Sequence, residues 1–323
     1  MKKFKKLVVF DNIILTPKQM ERLMNCAEKI EFYPKTDDQN FIKEKIKDAE
    51  AVINCWTVIT EDALKGSSVK YIGNWGHWWK HRVLISEEKL KKMGIHLDYI
   101  PDYGTNAVAE LVWAGILALS RNLEKWHKDA ARGKWVYEYI KQGVKKVNIL
   151  EVDEHLVQNK ILGIVGMGRI GYQVAKIGLY GFGVKVIYYS KTRKPEIEKE
   201  GIKFVSLEEL FKISDIVSLH VPPEVPENFI SKELLNLMKP GAIFVNTSVG
   251  HAVDEEALIE ILKQGKIKAF LDVYKKFPPY KQLKNLPNVI FTYRLGWFSK
   301  ESLINKGEKL VSNIERYLEK YEA

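Results

Sequence analysis

Cysteine is scarce in this chain, with two among 323 residues, Cys26 and Cys55, each in an apolar setting and without metal-ligand spacing. That excludes a disulfide framework and a cysteine-rich metal site, and is read as reduced core thiols in a cytoplasmic protein. Long apolar runs are missing too. The stretch opening MKKFKKLVVF is basic and then apolar, but Asp11 ends it too soon for a signal peptide, and the longest run, Ala107 to Leu119, contains Glu110. Neither is expected to cross a bilayer. No tail of one charge sign exists: 51 Lys and Arg are interleaved with 41 Asp and Glu, for a net charge of +10. Such a balance suits anionic small ligands. With no helix-turn-helix or RNA-binding signature visible, nucleic acid is not an expected partner. Internal repeats and low-complexity segments are likewise absent.

What is present is α/β alternation. Leu7–Phe10, Ile30–Tyr33, Ala51–Cys55, Val69–Ile72 and His96–Ile100 read as short strands. Pro17–Ala27, Asn40–Ala49, Glu61–Lys65 and Glu87–Met93 read as the helices between them, which implies a parallel sheet covered by helices. Asp102-Tyr103-Gly104 breaks the pattern, and Thr105 or Asn106 can cap a long helix reaching about Arg132. That helix is apolar on nearly every side, so it is expected to be buried, between domains and against a second subunit. Residues 134–157 read as an irregular connection with one short helix. From Ile161 onward the alternation resumes, and a final helix, Ser302–Tyr321, follows the last strand.

The second half opens on the most informative stretch. An apolar run, Ile161–Val165, leads into Gly166-Met167-Gly168-Arg169-Ile170-Gly171, then a helical pattern, then a strand, Val184–Tyr189. A G-x-G-x-x-G match in a strand–turn–helix–strand context is a dinucleotide-binding fingerprint. Gly166 permits the tight turn, Gly168 lets backbone approach a pyrophosphate, and Gly171 lets helix pack on strand. The amides of Arg169 and Ile170 at the helix start face the phosphates. Where an NAD site carries an acidic residue, at the end of the next strand, this chain has Ser190-Lys191-Thr192-Arg193. A carboxylate would repel a 2′-phosphate and a hydroxyl flanked by cations would bind one, so NADP(H) is favoured over NAD(H). The alternative is a solvated turn in a Lys-rich protein.

Several stretches together resemble the D-2-hydroxyacid dehydrogenases over nearly the whole chain. They are Thr105-Asn106-Ala107-Val108-Ala109-Glu110, the glycine motif, Leu219-His220-Val221-Pro222, Met238-Lys239-Pro240-Gly241-Ala242, Val253 to Leu258 and Leu271-Asp272-Val273. Ser190 to Arg193 looks like the variant of NADPH-using glyoxylate and hydroxypyruvate reductases of that family. The resemblance implies two Rossmann-like, doubly wound parallel-sheet domains: 1–103 completed by 297–323, and a dinucleotide-binding domain, 104–296. It also implies a homodimer, a cleft where cofactor and substrate meet, and cofactor contacts from Val221, Pro222, Thr247 and Asp272. Asp272 stands where the family's aspartate meets the nicotinamide carboxamide; its other reading is a strand-end cap.

The family's chemical residues are replaced. Its substrate-binding arginine falls on Val249 (Asn246-Thr247-Ser248-Val249-Gly250), its glutamate on Phe277 before Pro278, and its histidine on Arg294 (Thr292-Tyr293-Arg294-Leu295-Gly296). Guanidinium stays protonated at any ordinary pH, so Arg294 supplies charge but no proton; a salt bridge is the competing reading. The substrate-facing loop, Gly73-Asn74-Trp75-Gly76-His77-Trp78-Trp79-Lys80-His81-Arg82, is rich in aromatics and cations. It suits a larger, flat or anionic ligand, with His77 and Lys80 as candidates for proton transfer or anion binding, or else an interdomain or dimer contact. Two functions follow. One is an NADP(H)-dependent oxidoreductase on a bulkier, anionic, imine or alkene substrate; the other is a non-catalytic dinucleotide sensor on the same scaffold.

Overall fold

The computed structural model describes residues 2–76, 79–133, 153–275 and 283–321, so the segment 134–152, Phe277 with Pro278, and His77 lie outside it. The chain divides into two compact units, Met1–Tyr103 with Ser299–Ala323, and Gly104–Phe298.

The first unit alternates β1 (Phe4–Phe10), α1 (Pro17–Asn25), β2 (Ala27–Tyr33), α2 (Gln39–Ile46), β3 (Ala51–Asn54), α3 (Glu61–Leu64), β4 (Tyr71–Asn74), α4 (Glu87–Lys92) and β5 (His96–Tyr99). The helices start where short polar side chains can take the orphan first-turn amides: Thr16 with Gln19 in a capping box, then Asp38, Thr60 and Ser86. The strands form a parallel sheet in the order β2-β1-β3-β4-β5. The C-terminal helix, Lys300–Tyr321, packs on one face through Leu310, Val311, Ile314, Tyr317 and Leu318 beside Phe4, Leu7 and Tyr71; Ile42, Ile46, Ile59 and Leu64 pack the other. β4 starts two residues later than the alternation predicts, because the amides of Lys70 and Tyr71 both donate to the Glu50 carbonyl before the ladder begins.

The second unit opens with α5 (Thr105–Ser120) and α6 (Leu123–Ala131), and continues through β6 (Ile161–Val165), α7 (Arg169–Lys176) and β7 (Lys185–Tyr189). Next come α8 (Pro195–Glu198), β8 (Lys203–Phe204), α9 (Leu207–Ile213), β9 (Ile216–Leu219), α10 (Lys232–Leu237) and β10 (Ile243–Asn246). α11 (Glu255–Lys263), β11 (Lys268–Leu271) and β12 (Val289–Phe291) complete it. The parallel sheet runs β12-β11-β10-β9-β6-β7-β8, the doubly wound order in which the chain reverses direction across the sheet beside β6.

The single long helix expected over 105–132 is two helices. Asn122 takes a left-handed conformation (φ 48°), and the buried ammonium of Lys268 reaches the Leu119 carbonyl, the Asn122 side chain and the Asp153 carboxylate. A cation that captures last-turn carbonyls ends a helix that the local apolar pattern would continue. The cap also differs from expectation: Gly104, not Thr105 or Asn106, is the N-cap, with no side-chain hydrogen bond. α5 buries Val108, Val112, Trp113, Ile116 and Leu119 within its own unit while Glu110 and Ala114 stay exposed. Gly115 lets the Phe270 ring of β11 press on its backbone: an added Cβ there would lie 2.3 Å from the ring.

Candidate dinucleotide site

The three glycines differ physically. Gly166 ends β6 with φ 97°, and a Cβ on it would stand 2.3 Å from the His220 carbonyl oxygen, so only glycine fits both conformation and space. A Cβ on Gly171 would lie 2.3 Å from the Gly166 carbonyl oxygen and 3.0 Å from Ile164, which sets how closely α7 approaches β6. Nothing lies within 4 Å of a Cβ placed on Gly168, the exposed N-cap of α7. Open space stands where a phosphate would approach the first-turn amides, which have no carbonyl of their own helix to bond.

The other candidate residues of this unit follow the same sheet edge in strand order. Each sits just past a carboxyl end: Ser190 to Arg193 after β7, Gly166 to Gly171 after β6, Val221 and Pro222 after β9, Thr247 after β10, Asp272 after β11 and Arg294 after β12. Six adjacent strands at about 4.8 Å spacing make an edge roughly 24 Å long, enough for an extended dinucleotide. Within it, the Thr247 hydroxyl is buried and has no hydrogen-bond partner among the described residues. A buried hydroxyl without a partner costs about 1–3 kcal/mol, and a ribose or amide group of a bound cofactor would supply one. The intact turn, the open approach at Gly168 and this hydroxyl fit a dinucleotide. Val221 is buried and Pro222 exposed.

The turn after β7 is partly engaged internally. Arg193 makes a bidentate pair with Glu198 at 2.8 and 2.6 Å, which holds the Glu198 carboxyl below its usual range. The Ser190 hydroxyl donates to the Thr192 carbonyl, while Lys191 and Thr192 are exposed.

The remaining positions differ sharply. Val249, where the resemblance puts arginine, is 3 % exposed and packs in the core of this unit. Asn246 locks the turn around it, donating to the Val249 carbonyl and accepting from the Ser248 amide and hydroxyl. Arg294 is exposed, takes a positive φ of 58°, and forms no ion pair with any described residue, so the salt-bridge reading has no support there. Asp272 is buried and already accepts from the Leu295 amide (2.8 Å), the Gly296 amide (3.0 Å) and the Thr292 hydroxyl. Its observed work is to hold the loop that carries Arg294. Burial pushes the His220 imidazole down to about 3, so it is neutral near pH 7, with Nε2 2.8 Å from the Ser218 hydroxyl. Phe277 lies outside the described residues.

Lys80 belongs to the other unit. It is exposed in a short 3₁₀ turn, Trp79–His81, and lines a cavity of about 430 Å³ with Val83, Leu84, Ile85, Ser86 and Glu87. His77 lies outside the described residues. Sequence reasoning passed over Lys306, 3 % exposed on the C-terminal helix. The signal was available: Lys306 falls between Ser302 and Leu310 on the apolar stripe of that helix. Among the described residues no group of His, Cys, Asp and Glu is arranged to hold a metal, and no helix is long and apolar enough to cross a membrane.

Comparison with known proteins agrees with this geometry. Residues 113–296 match the family described as D-isomer specific 2-hydroxyacid dehydrogenase, NAD binding domain. A glyoxylate reductase of Thermococcus litoralis is 35% identical over 287 residues, 87% of this chain and 84% of that protein. Among solved structures, an acyclic imino acid reductase (Bsp5) in complex with NADPH and D-Arg superposes with a TM-score of 0.79 at 27% identity, covering 97% of each chain. The TT0316 protein of Thermus thermophilus gives 0.80 at 30% identity, also over 97% of each. The strand order, the glycine turn and these likenesses converge on one conclusion: this chain belongs to the D-isomer-specific 2-hydroxyacid dehydrogenases, a family of nicotinamide-dinucleotide-dependent reductases.

Proposed function

We propose that the protein is an NADP(H)-dependent reductase acting on an anionic 2-oxo acid derivative, with an imine favoured over the free carbonyl. The observation that carries it is the pairing of a preserved cofactor edge, with its buried partnerless Thr247 hydroxyl, and a core valine at position 249. In this reading the first turn of α7 receives the pyrophosphate, Ser190 and Arg193 receive the 2′-phosphate, and Thr247 bonds the nicotinamide half. When bound, the reduced nicotinamide supplies a hydride equivalent.

The chain's own residues then account for the substrate. A carbonyl needs a proton donor worth about 10²–10⁴-fold in rate, and Arg294 cannot give one. A protonated imine brings its proton with it, so C=NH₂⁺ plus hydride yields the amine with no acid required. Arg294, exposed and without an ion pair among the described residues, supplies fixed positive charge beside the nicotinamide. The imino acid reductase among the similar structures supports that substrate class, and the glyoxylate reductases support a small acid. Fluorescence titration with NADPH and NADH tests the cofactor: NADPH is expected to bind at least tenfold tighter, and equal or reversed preference refutes it. A panel of glyoxylate and larger 2-oxo acids, each with and without ammonia or methylamine, tests the substrate. Oxidation of NADPH only when an amine is present supports the imine, and faster oxidation without amine refutes it. The second reading, a non-catalytic sensor, rests on Val249 and predicts tight binding with no turnover on any member of the panel.

A further inference from the structure

In the unit Met1–Tyr103 with Ser299–Ala323, ligands of a doubly wound sheet meet the carboxyl edge, whose switch point in the order β2-β1-β3-β4-β5 lies between β1 and β3; the loops after β3 and β4 lie along that edge. An incoming carboxylate would ordinarily be met there by backbone amides. Among the described residues just past β3 and β4, the amides of Cys55, Trp56, Thr57, Trp75 and Gly76 are already engaged. Asp11, held at φ 73° just past β1, accepts from the amides of Cys55 (2.7 Å), Trp56 (2.8 Å) and Thr57 (2.9 Å), and from the Thr57 hydroxyl. The protein's own carboxylate thus fills the anion-binding nest after β3. After β4, the Trp75 amide donates to the Asn54 carbonyl at 2.7 Å and the Gly76 amide to the Asn74 carbonyl at 2.8 Å.

At the same edge lies a buried cation. The Lys306 ammonium sits 4.7 Å from the centroid of the Trp75 ring and 4.6 Å from that of Tyr103. Ring faces replace part of the hydration an ammonium loses on burial, and a buried cation gains further from an anion brought close to it. We propose that Lys306 is the carboxylate-binding cation of this unit, taking over from backbone amides that Asp11 and neighbouring carbonyls have engaged, and that its ligand is a small 2-oxo or 2-imino acid. This rests on the reductase reading above.

Burial pushes the Lys306 amine down to about 8, and Cys55 beside it slightly offsets that. Two titratable groups near it among the described residues stay neutral well above this: burial pushes the Cys55 thiol up to about 11 and the Tyr103 phenol up to about 12. Asp11 and Arg82 also act on Cys55, and Lys309, on the same helix, donates to the Asp102 carbonyl. A bound carboxylate favours the protonated amine, so affinity is constant below pH 8 and falls as pH rises through it, about tenfold per unit.

The test uses the full-length protein saturated with NADPH and titrated calorimetrically with oxamate, an unreactive carboxylate probe, from pH 6 to 10. The wild type is expected to lose affinity above pH 8, taking up close to one proton per oxamate there. Lys306→Met is expected to weaken binding at pH 7 by ten- to a hundredfold, and Lys306→Arg to bind with no fall up to pH 10. Unchanged oxamate affinity in Lys306→Met, or no oxamate binding by wild type, overturns the assignment while NADPH binding stands. Failure of wild type to bind NADPH sinks the reductase reading instead.

Discussion

Replacing Gly166 or Gly168 by alanine separates the fold from the binding function of one short turn. At Gly166 the new methyl meets two penalties. The backbone has φ 97°, and positive φ costs an L-residue about 1–2 kcal/mol. The Cβ would also lie 2.3 Å from the His220 oxygen, 2.7 Å from its carbonyl carbon and 3.1 Å from the Val221 nitrogen. These are backbone atoms pinned by hydrogen bonds from Gly166 to the Tyr189 carbonyl (2.8 Å) and from His220 to the Val165 carbonyl (2.7 Å). Overpacking against such neighbours costs a further 1–3 kcal/mol or so. A total of about 3 kcal/mol lowers the melting temperature of the Gly104–Phe298 unit by roughly 6–12 °C. Gly168 has ordinary φ (−83°) and nothing within 4 Å of its added Cβ. Alanine there loses N-cap preference but gains from a stiffer unfolded chain, opposing effects of about 1 kcal/mol or less each. Melting should therefore hardly move, while a methyl on the phosphate approach weakens NADPH at least tenfold, or about 1.4 kcal/mol. Calorimetric melting and NADPH fluorescence titration on both variants read the contrast. A Gly166→Ala protein melting within 2 °C of wild type, or a Gly168→Ala protein binding NADPH normally, would refute the reasoning.

Three further outcomes are expected. Arg193→Ala should weaken NADPH by about ten- to a hundredfold, the loss of one hydrogen bond to a charged group, and leave NADH unchanged. Glu198→Gln, which releases Arg193 from an exposed pair, should tighten NADPH about two- to fivefold; both are read by fluorescence titration. Asp272→Asn presents an amide to two backbone N–H donors and should cost about 1.5–3 kcal/mol in urea unfolding, with hydrogen exchange fastest over Thr292–Gly296. Burial lowers the folded-state imidazole of His220 from 6.5 to about 3, so its contribution is fully present above pH 6.5 and is lost as pH falls below it. Urea midpoints at pH 7.5 and 5 should differ through this group by at most about 2 kcal/mol, and His220→Gln should remove that part; an identical fall in the variant would refute it.

Much of the fold was legible because its signals are local. Apolar runs bounded by caps located most strands and helices of both units, with ends off by up to about three residues (β1 begins at Phe4 and β2 at Ala27), and G-x-G-x-x-G in a strand–turn–helix setting located Gly166, Gly168 and Gly171. The helix break at Asn122 was not legible, since the ammonium that ends α5 comes from Lys268, more than a hundred residues away. Asp272 was read both as a nicotinamide contact and as a strand-end cap, and only the placement of Leu295 and Gly296 showed its carboxylate binding their amides.

The sequence by itself determined the family, the parallel sheets and the chemical identity of each position, including the valine, phenylalanine and arginine at the expected catalytic places. Periodicity and turn chemistry depend only on near neighbours, so they survive in one dimension. The tertiary structure decided which polar groups are already satisfied: Thr247 left without a partner among the described residues, Arg193 held by Glu198, the amides after β3 closed by Asp11, and Lys306 set between two rings. Whether a hydrogen-bonding group is available to a ligand depends on every other group within about 3 Å, and folding draws those neighbours from distant parts of the chain.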